Sequence, residues 1–199
     1  MPSIVWRNDP IMKILLIVSA AVVIGVLVFG GQLMGIRKDL ARQREAITAS
    51  WGHVDVAIER RAELVPHLVD TVKGIAREDK EVFAHLTSAR GALRDARSPQ
   101  ERIEANQRLD TAVGRLLLVT ENYPQLKSSE NFLRLLDDLA GTENRIAVER
   151  RKYNEAVQRY NTSLELFPNN AAATLFGFAR NDAYYRASPE AQRAPQLKF

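Results

Sequence analysis

The chain has 199 residues, 46% hydrophobic and 26% charged, with 28 basic against 24 acidic residues and a formal net charge of +4. This is the composition of a folded chain, long enough for one ordinary domain with a short additional segment. The absence of cysteine excludes a disulfide framework, a thiolate nucleophile, a zinc–thiolate site and a cysteine-linked lipid, and the interleaving of basic with acidic residues argues against a nucleic-acid groove.

Pro2 and Pro10 keep residues 1–13 out of regular helix as an N-terminal stub, with Trp6 placed for a headgroup layer. From Ile14 to Ile36 no residue is charged, and Lys13 and Arg37 bracket the segment. At about 1.5 Å per residue this stretch spans roughly 33 Å, the thickness of a bilayer core. A cleaved signal peptide would carry a shorter apolar region, and the residues after Phe29 lack an A-x-A cleavage pattern. Residues 14–36 are therefore expected to form a retained transmembrane helix. Gly31 and Gly35 make a G-x-x-x-G pair that permits close helix approach and hence a homo-oligomer. Arg37, Lys38, Arg42 and Arg44 outnumber Arg7 and Lys13 across the segment, which places the large domain on the cytoplasmic side by a margin of two charges.

Beyond the anchor, apolar residues recur at steps of three and four. Ile47, Trp51, Val54, Ile58, Val65, Leu68, Val72 and Ile75 form one stripe, interrupted at Arg61, with Pro66 expected to kink the helix near Ala62. A turn near Asp79 leads to a second stripe, Val82, Leu86, Ala89 and Leu93. Ser98-Pro99-Gln100-Glu101 reads as a helix start with N-cap serine, proline at N1 and glutamate at N3. The third helix carries Ile103, Leu109, Val113, Leu116 and Leu117 and ends before Tyr123-Pro124. The fourth holds a heptad beat through Phe132, Leu136, Leu139, Ile146, Tyr153, Val157, Tyr160, Leu164 and Phe167, with Glu143 and Arg150 in two seam positions. Pro168-Asn169-Asn170 stops it.

These patterns predict an all-α protein: an N-terminal transmembrane helix followed by an antiparallel up-and-down four-helix bundle, residues 37–170, with long first and fourth helices. The first helix is expected to continue from the anchor. Residues 171–199 form a C-terminal tail. Ala171 to Phe178, with Tyr184 and Tyr185, is apolar enough to pack on the bundle, and the part from Ser188, with Pro189 and Pro195, is extended.

Three runs resemble the LemA family of bacterial membrane proteins. They are WGHVDVAIERRAELVPHLVDTVKGIA from Trp51 to Ala76, ENYPQLKSSENF from Glu121 to Phe132, and the stretch from Thr142 that holds TEN, R-x-x-YN-x-AV-x-x-YN, FP and GF. The resemblance implies a four-helix bundle behind an N-terminal membrane segment and no known reaction. One branch resembles proteins that organise bacterial magnetosome membranes, and relatives are often encoded near a membrane zinc metalloprotease. The resemblance thus implies envelope organisation or stress response at the inner membrane, with the bilayer and a membrane protein such as that metalloprotease as partners.

Candidate chemistry is sparse. Glu63 with His67 and Glu81 with His85 are each four apart, a spacing that can bring carboxylate and imidazole onto one metal, but the two pairs fall at different heights in the bundle. No H-E-x-x-H, phosphate-cradling glycine loop or G-x-S-x-G occurs. No catalytic residue, cofactor or metal is therefore expected. The polar residues that matter are read as structural: Asp55, Arg61, Glu143, Arg150, Asn154 and Asn161. With Leu40 level with Phe167 and Arg77 level with Ser129, positions facing each other on the first and fourth helices sum to about 206, which pairs Arg61 with Glu143 and Asp55 with Arg150. Tyr153-Asn154 and Tyr160-Asn161 repeat seven apart, so the rings pack on the seam and the asparagines bond a neighbouring helix. The function expected is a non-enzymatic membrane scaffold or adaptor, and the alternative is a ligand- or metal-responsive bundle sensor.

Overall fold

A computed structural model describes residues 10–74 and 80–186. The stub at residues 1–9, the turn near Asp79 with the end of the first stripe at Ile75, and the tail from Ser188 lie outside the described residues. Every regular element described is helical: α1 (Pro10–Lys73), α2 (Lys80–Asp95), α3 (Pro99–Thr120), α4 (Pro124–Lys127), α5 (Glu130–Glu165) and α6 (Asn169–Phe176). Proline is tolerated in a first helical turn, where its missing N–H has no helical partner. Pro10 therefore starts α1 rather than delaying it, and the helix also runs unbroken through Pro66. The chain divides into two compact units.

The first unit combines Met1–Arg42 with Thr162–Ala179. Its part of α1 holds the one described helix long and apolar enough to cross a membrane, with a mean hydropathy of 2.8 over an 18-residue window of which 0% is buried. Burial sets in only at Leu33 and Ile36, both half-buried, and is complete at Leu40. A Cβ added at Gly31 or Gly35 would meet nothing within 4 Å. In α6, Ala172 and Ala173 are buried, and the Phe176 ring lies 5.7 Å beneath the Arg37 guanidinium. The sequence puts Phe167 on the seam of the fourth helix. Instead α5 ends at Glu165 and Phe167 stands 84% exposed.

The second unit combines Gln43–Asn161 with Arg180–Phe199. Its core takes the expected stripe of α1: Ile47, Val54, Ile58, Val65, Leu68 and Val72 are buried. On α2 the buried face is Phe83, Leu86, Ala89 and Leu93, one residue off the predicted start, and Val82 is half-buried. Ser98 caps α3 as a full capping box: its hydroxyl accepts the Glu101 N–H at 3.2 Å, and the Glu101 carboxylate accepts the N–H of Arg97 at 2.7 Å and of Ser98 at 3.2 Å. Those main-chain donors, Arg97 first, hold the Glu101 carboxyl below its ordinary range. On α5 one heptad position is buried throughout, at Phe132, Leu139, Ile146, Tyr153 and Tyr160. The other is not: Leu136 and Arg150 are half-buried and Glu143 is exposed, so the charges predicted on the seam sit at its rim.

Packing pairs carry chain directions. Trp51 on α1 meets Tyr153 on α5 edge to face, centroids 5.4 Å apart, and the Arg44 charge acts on Tyr160. The ring contact and the charge interaction step in opposite directions along the two helices. From α1 to α3 the ion pairs Asp55–Arg102 and Arg61–Asp110 step in the same direction. α2 packs along α3.

Candidate functional site

The second unit links its buried polar side chains in two places, a chain of charges and a non-helical C-terminal strap at residues 180–186.

Arg61 interrupts the α1 stripe where its side chain is only 7% exposed, and its Nη1 lies 2.7 Å from Asp110 Oδ1. A guanidinium so placed must be paired, since an unpaired charge in a core costs several kcal/mol. The expected partner was Glu143 on α5; the structure supplies Asp110 on α3 instead. Likewise Asp55, expected opposite Arg150, pairs with Arg102, which also reaches Glu59 at 2.9 Å. α3 runs beside this stretch of α1 and brings both partners to it, whereas height along α5 alone could not identify which neighbour faces Arg61.

Glu143 and Arg150 still act here, through Asp110. Burial raises the Asp110 carboxyl above its ordinary value; the Arg61 charge opposes that, Glu143 adds to it and Arg150 offsets it. Asp110 Oδ1 is inaccessible although the side chain as a whole is 42% exposed. Asn106, fully buried, donates from Nδ2 to Asp110 Oδ2 at 3.3 Å and to the Tyr185 hydroxyl at 2.9 Å. The Tyr185 ring, 4% exposed, lies 5.5 Å beneath the Arg150 guanidinium. Burial, with the Asp110 charge behind it, pushes the Tyr185 phenol up to about 12. Arg61 Nε and Asn106 Oδ1 are buried without a hydrogen-bond partner among the described residues.

The strap is held by the Tyr-Asn repeat. Asn161 donates from Nδ2 to the Asn181 carbonyl at 2.8 Å and accepts the Asn181 N–H at 2.9 Å. Seven residues earlier, Asn154 does the same to Tyr185, donating to its carbonyl at 2.9 Å and accepting its N–H at 2.9 Å. Between them the Tyr153 hydroxyl donates to the Ala183 carbonyl at 2.7 Å. Two turns of helix advance about 10.5 Å, less than the roughly 13 Å of four fully extended residues. The turn at Ala183, where the Tyr184 N–H bonds the Asp182 carbonyl at 2.8 Å, shortens the strap from 181 to 185 toward the heptad repeat on α5. Each amide presents one donor and one acceptor to the C=O and N–H of a single residue, as a neighbouring strand would. The asparagines thus clamp non-helical main chain, not the neighbouring helix expected from sequence. Gln107 adds a bond to the Arg186 carbonyl at 3.2 Å.

Asn106, Asp110 and Gln107 escaped the sequence reading, although Asn106 and Asp110 interrupt the apolar face of α3 between Ile103 and Val113. The histidines form no such cluster. His85 lies 3.5 Å from Glu81 on an exposed helix face, Glu63 pairs with Arg60 at 3.1 Å, and His53 and His67 are exposed. No group of three or more His, Asp or Glu side chains is placed to hold a metal among the described residues.

The profile of the LemA family matches residues 50–199, three quarters of the chain, including every residue of the clamp and the charge chain. The chain belongs to the LemA family. Among its relatives is a magnetosome protein MamQ of Paramagnetospirillum magneticum, 25% identical over 84% of this chain and 71% of the relative. A MamQ of Magnetospirillum gryphiswaldense is 23% identical over 73% of this chain and 62% of its own length. Protein LemA of Metamycoplasma hominis is 25% identical over 78% and 71%. None of these carries an enzyme's name.

Proposed function

We propose that this LemA-family chain is a non-enzymatic scaffold of the bacterial inner membrane: a single-pass anchor at residues 14–36, continuous with an antiparallel up-and-down four-helix bundle on the cytoplasmic side. One observation carries the reading. The uniformly apolar, unburied stretch of α1 belongs to the same unbroken helix whose later turns fill the core of the second unit. A helix apolar all round needs lipid, while one with an apolar stripe needs protein. The bundle order is supported by the antiparallel sense of the Trp51–Tyr153 contact and the Arg44–Tyr160 charge interaction from α1 to α5, and by the parallel sense of the α1–α3 ion pairs. Non-enzymatic action is supported by the partners of the polar residues: Arg61, Asp110, Asn154 and Asn161 bond one another's helices and the strap. Relatives named as magnetosome proteins support a part in organising a membrane structure. The partners of such a scaffold are the bilayer, further copies of itself through Gly31 and Gly35, and a membrane protein such as a metalloprotease.

Alkaline carbonate extraction of native membranes tests the anchor: the protein stays in the pellet with residues 14–36 attached by mass spectrometry. A soluble form beginning after Gly35 contradicts it. Cross-linking with mass spectrometry in the same membranes tests the scaffold, which requires reproducible protein neighbours. The alternative, a ligand-responsive sensor, draws on the buried Arg61 Nε and Asn106 Oδ1 that lack protein partners; a stoichiometric metal or small molecule in native mass spectrometry would favour it.

A further inference from the structure

In the first unit, the connection from α5 into α6 is apolar in a way that its own packing does not explain. From Leu166 to Ala179 no residue is charged, with Glu165 and Arg180 bracketing the run. Ala172 and Ala173 of this run are buried, but Leu166 is 57% exposed, Phe167 84% and Leu175 66%. Among the described residues outside the apolar stretch of α1, the other large exposed apolar side chains (Val56, Leu118, Leu133 and Val148) stand singly on polar helices, which is ordinary for a protein surface. Three within one short uncharged hairpin are a patch.

Its place in the unit identifies its occupant. Arg37 is the first charge after the apolar stretch of α1, and its guanidinium lies over the Phe176 ring, so the end of α6 sits where that stretch ends. The main chain of the hairpin is also closed on itself. The Asn170 N–H bonds the Leu166 carbonyl at 2.9 Å, and the Ala172 N–H bonds the Pro168 carbonyl at 3.3 Å. Gly177, at φ 71°, ends α6 in the left-handed region, which lets the Phe178 N–H reach the Ala173 carbonyl at 2.9 Å. Satisfied main chain, an uncharged surface and exposed Phe and Leu suit the headgroup–acyl boundary, where water is scarce. Arg37 and Lys38 stand where they meet anionic headgroups while their stems stay apolar.

We propose that the α5–α6 hairpin is a second membrane contact, inserting Leu166, Phe167 and Leu175 into the bilayer interface beside the anchor. The proposal rests on residues 14–36 spanning the bilayer, and the test separates the two. The chain has no cysteine, so the single variants Val26→Cys, Val56→Cys, Phe167→Cys and Leu175→Cys of the full chain each carry one spin label. The last three replace exposed side chains, and Val26 is also exposed, so the substitutions leave both cores intact. The variants are reconstituted in vesicles of equal parts phosphatidylethanolamine and phosphatidylglycerol, and collision with oxygen and with a water-soluble nickel chelate is read by power-saturation electron paramagnetic resonance. The expected result is a deep-lipid signature at 26, a water signature at 56, and an interfacial one at 167 and 175, with oxygen collision raised and nickel collision lowered several-fold relative to 56. Labels at 167 and 175 that behave like 56, while 26 lies in lipid, overturn the hairpin contact and leave the anchor standing. Labels at 167 and 175 shielded from both reagents mean a protein covers the patch, which also overturns it. A water signature at 26 overturns the anchor and this proposal together.

Discussion

The two stretches of α1 are one helix with two arrangements of apolar side chains, which the proposed function assigns to lipid and to protein. Between Ile14 and Met34 nearly every side chain is apolar and open, so side-chain period carries no information there. From Leu40 to Val72 most large apolar residues gather on one face, Val56 being the exposed exception. Leu40, Ile47, Val54, Ile58, Val65, Leu68 and Val72 are buried there, with Trp51 half-buried and Arg61 buried in place of an apolar residue. Backbone geometry is the same on both sides of Arg37; what changes is the angular width of the apolar surface. The comparison teaches that one unbroken helix can change from an all-round apolar surface to an apolar face, the change that the proposed lipid and protein environments would each require.

The largest effect expected breaks the comparison on its apolar side. Val23→Arg with Leu27→Arg places two charges one turn apart at mid-span, a penalty of roughly 5 to 7 kcal/mol on insertion. Most of the protein should leave the carbonate-resistant pellet, whereas Val56→Arg, at an exposed position of the second stretch, should change neither pelleting nor helicity.

The next breaks it on the bundle side. Arg61→Ala leaves the inaccessible Asp110 Oδ1 without its partner while the rest of that side chain stays half-exposed, and should cost about 1 to 3 kcal/mol in denaturant unfolding, while Arg61→Met with Asp110→Leu recovers most of the loss. A double-mutant cycle should give coupling on the order of 1 to 3 kcal/mol between 61 and 110, and less between 61 and 143. Larger coupling to 143 would return the ion pair to α5.

Alkali sharpens the role of the strap. Tyr185 keeps its proton in the folded protein up to about 12, against an ordinary value of 10.0. Its contribution is complete below pH 10 and is lost as pH rises to 12, by up to about 2 to 3 kcal/mol. Tyr153 and Tyr160 are raised in the same direction. Stability should therefore fall across this window in the natural protein, and measurably less in Tyr185→Phe.

The smallest effect is local. Asn154→Asp and Asn161→Asp each keep an acceptor but lose the N–H that bonds the strap carbonyl, costing about 1 to 2 kcal/mol. Hydrogen exchange should quicken at the amides of Asn181 and Tyr185 while the amides of α3 keep their protection. Uniform loss across the bundle would mean that the strap is part of the core rather than a segment laid on it.

Much of this was legible from the residues alone. The bracketed apolar run, the Ser98–Glu101 cap and the stripe of α1 each have a local pattern with one structural solution. The facing of α1 and α5 was close as well: a constant sum of about 206 puts residue 155 opposite Trp51, and the ring found there is Tyr153. What failed was the choice of neighbour. In a helical protein a charge at a given height has several helices within reach, and sequence period gives the height alone. Asp110 and Arg102 on α3 were available signals, polar residues among apolar ones, that were not weighed. The strap was illegible for another reason: it is held by main-chain groups, which carry no side-chain signature, and only the seven-residue spacing of Asn154 and Asn161 marked the face that binds it. The run of Phe167 past the end of α5 was misread because a heptad pattern continues over a helix stop without changing its beat.

A cysteine accessibility scan along α1 tests the two-solvent account most directly. Single cysteines from residue 14 to residue 72 in intact membranes are challenged with a membrane-impermeant maleimide, then again in detergent with denaturant. The account predicts full protection at every position from 14 to 34 and then a helical rhythm, with Val54, Ile58, Val65 and Leu68 protected and Val56, Arg60 and Glu63 labelled. Free labelling through 14 to 34 in intact membranes, or a helical rhythm of protection already present there, would contradict it.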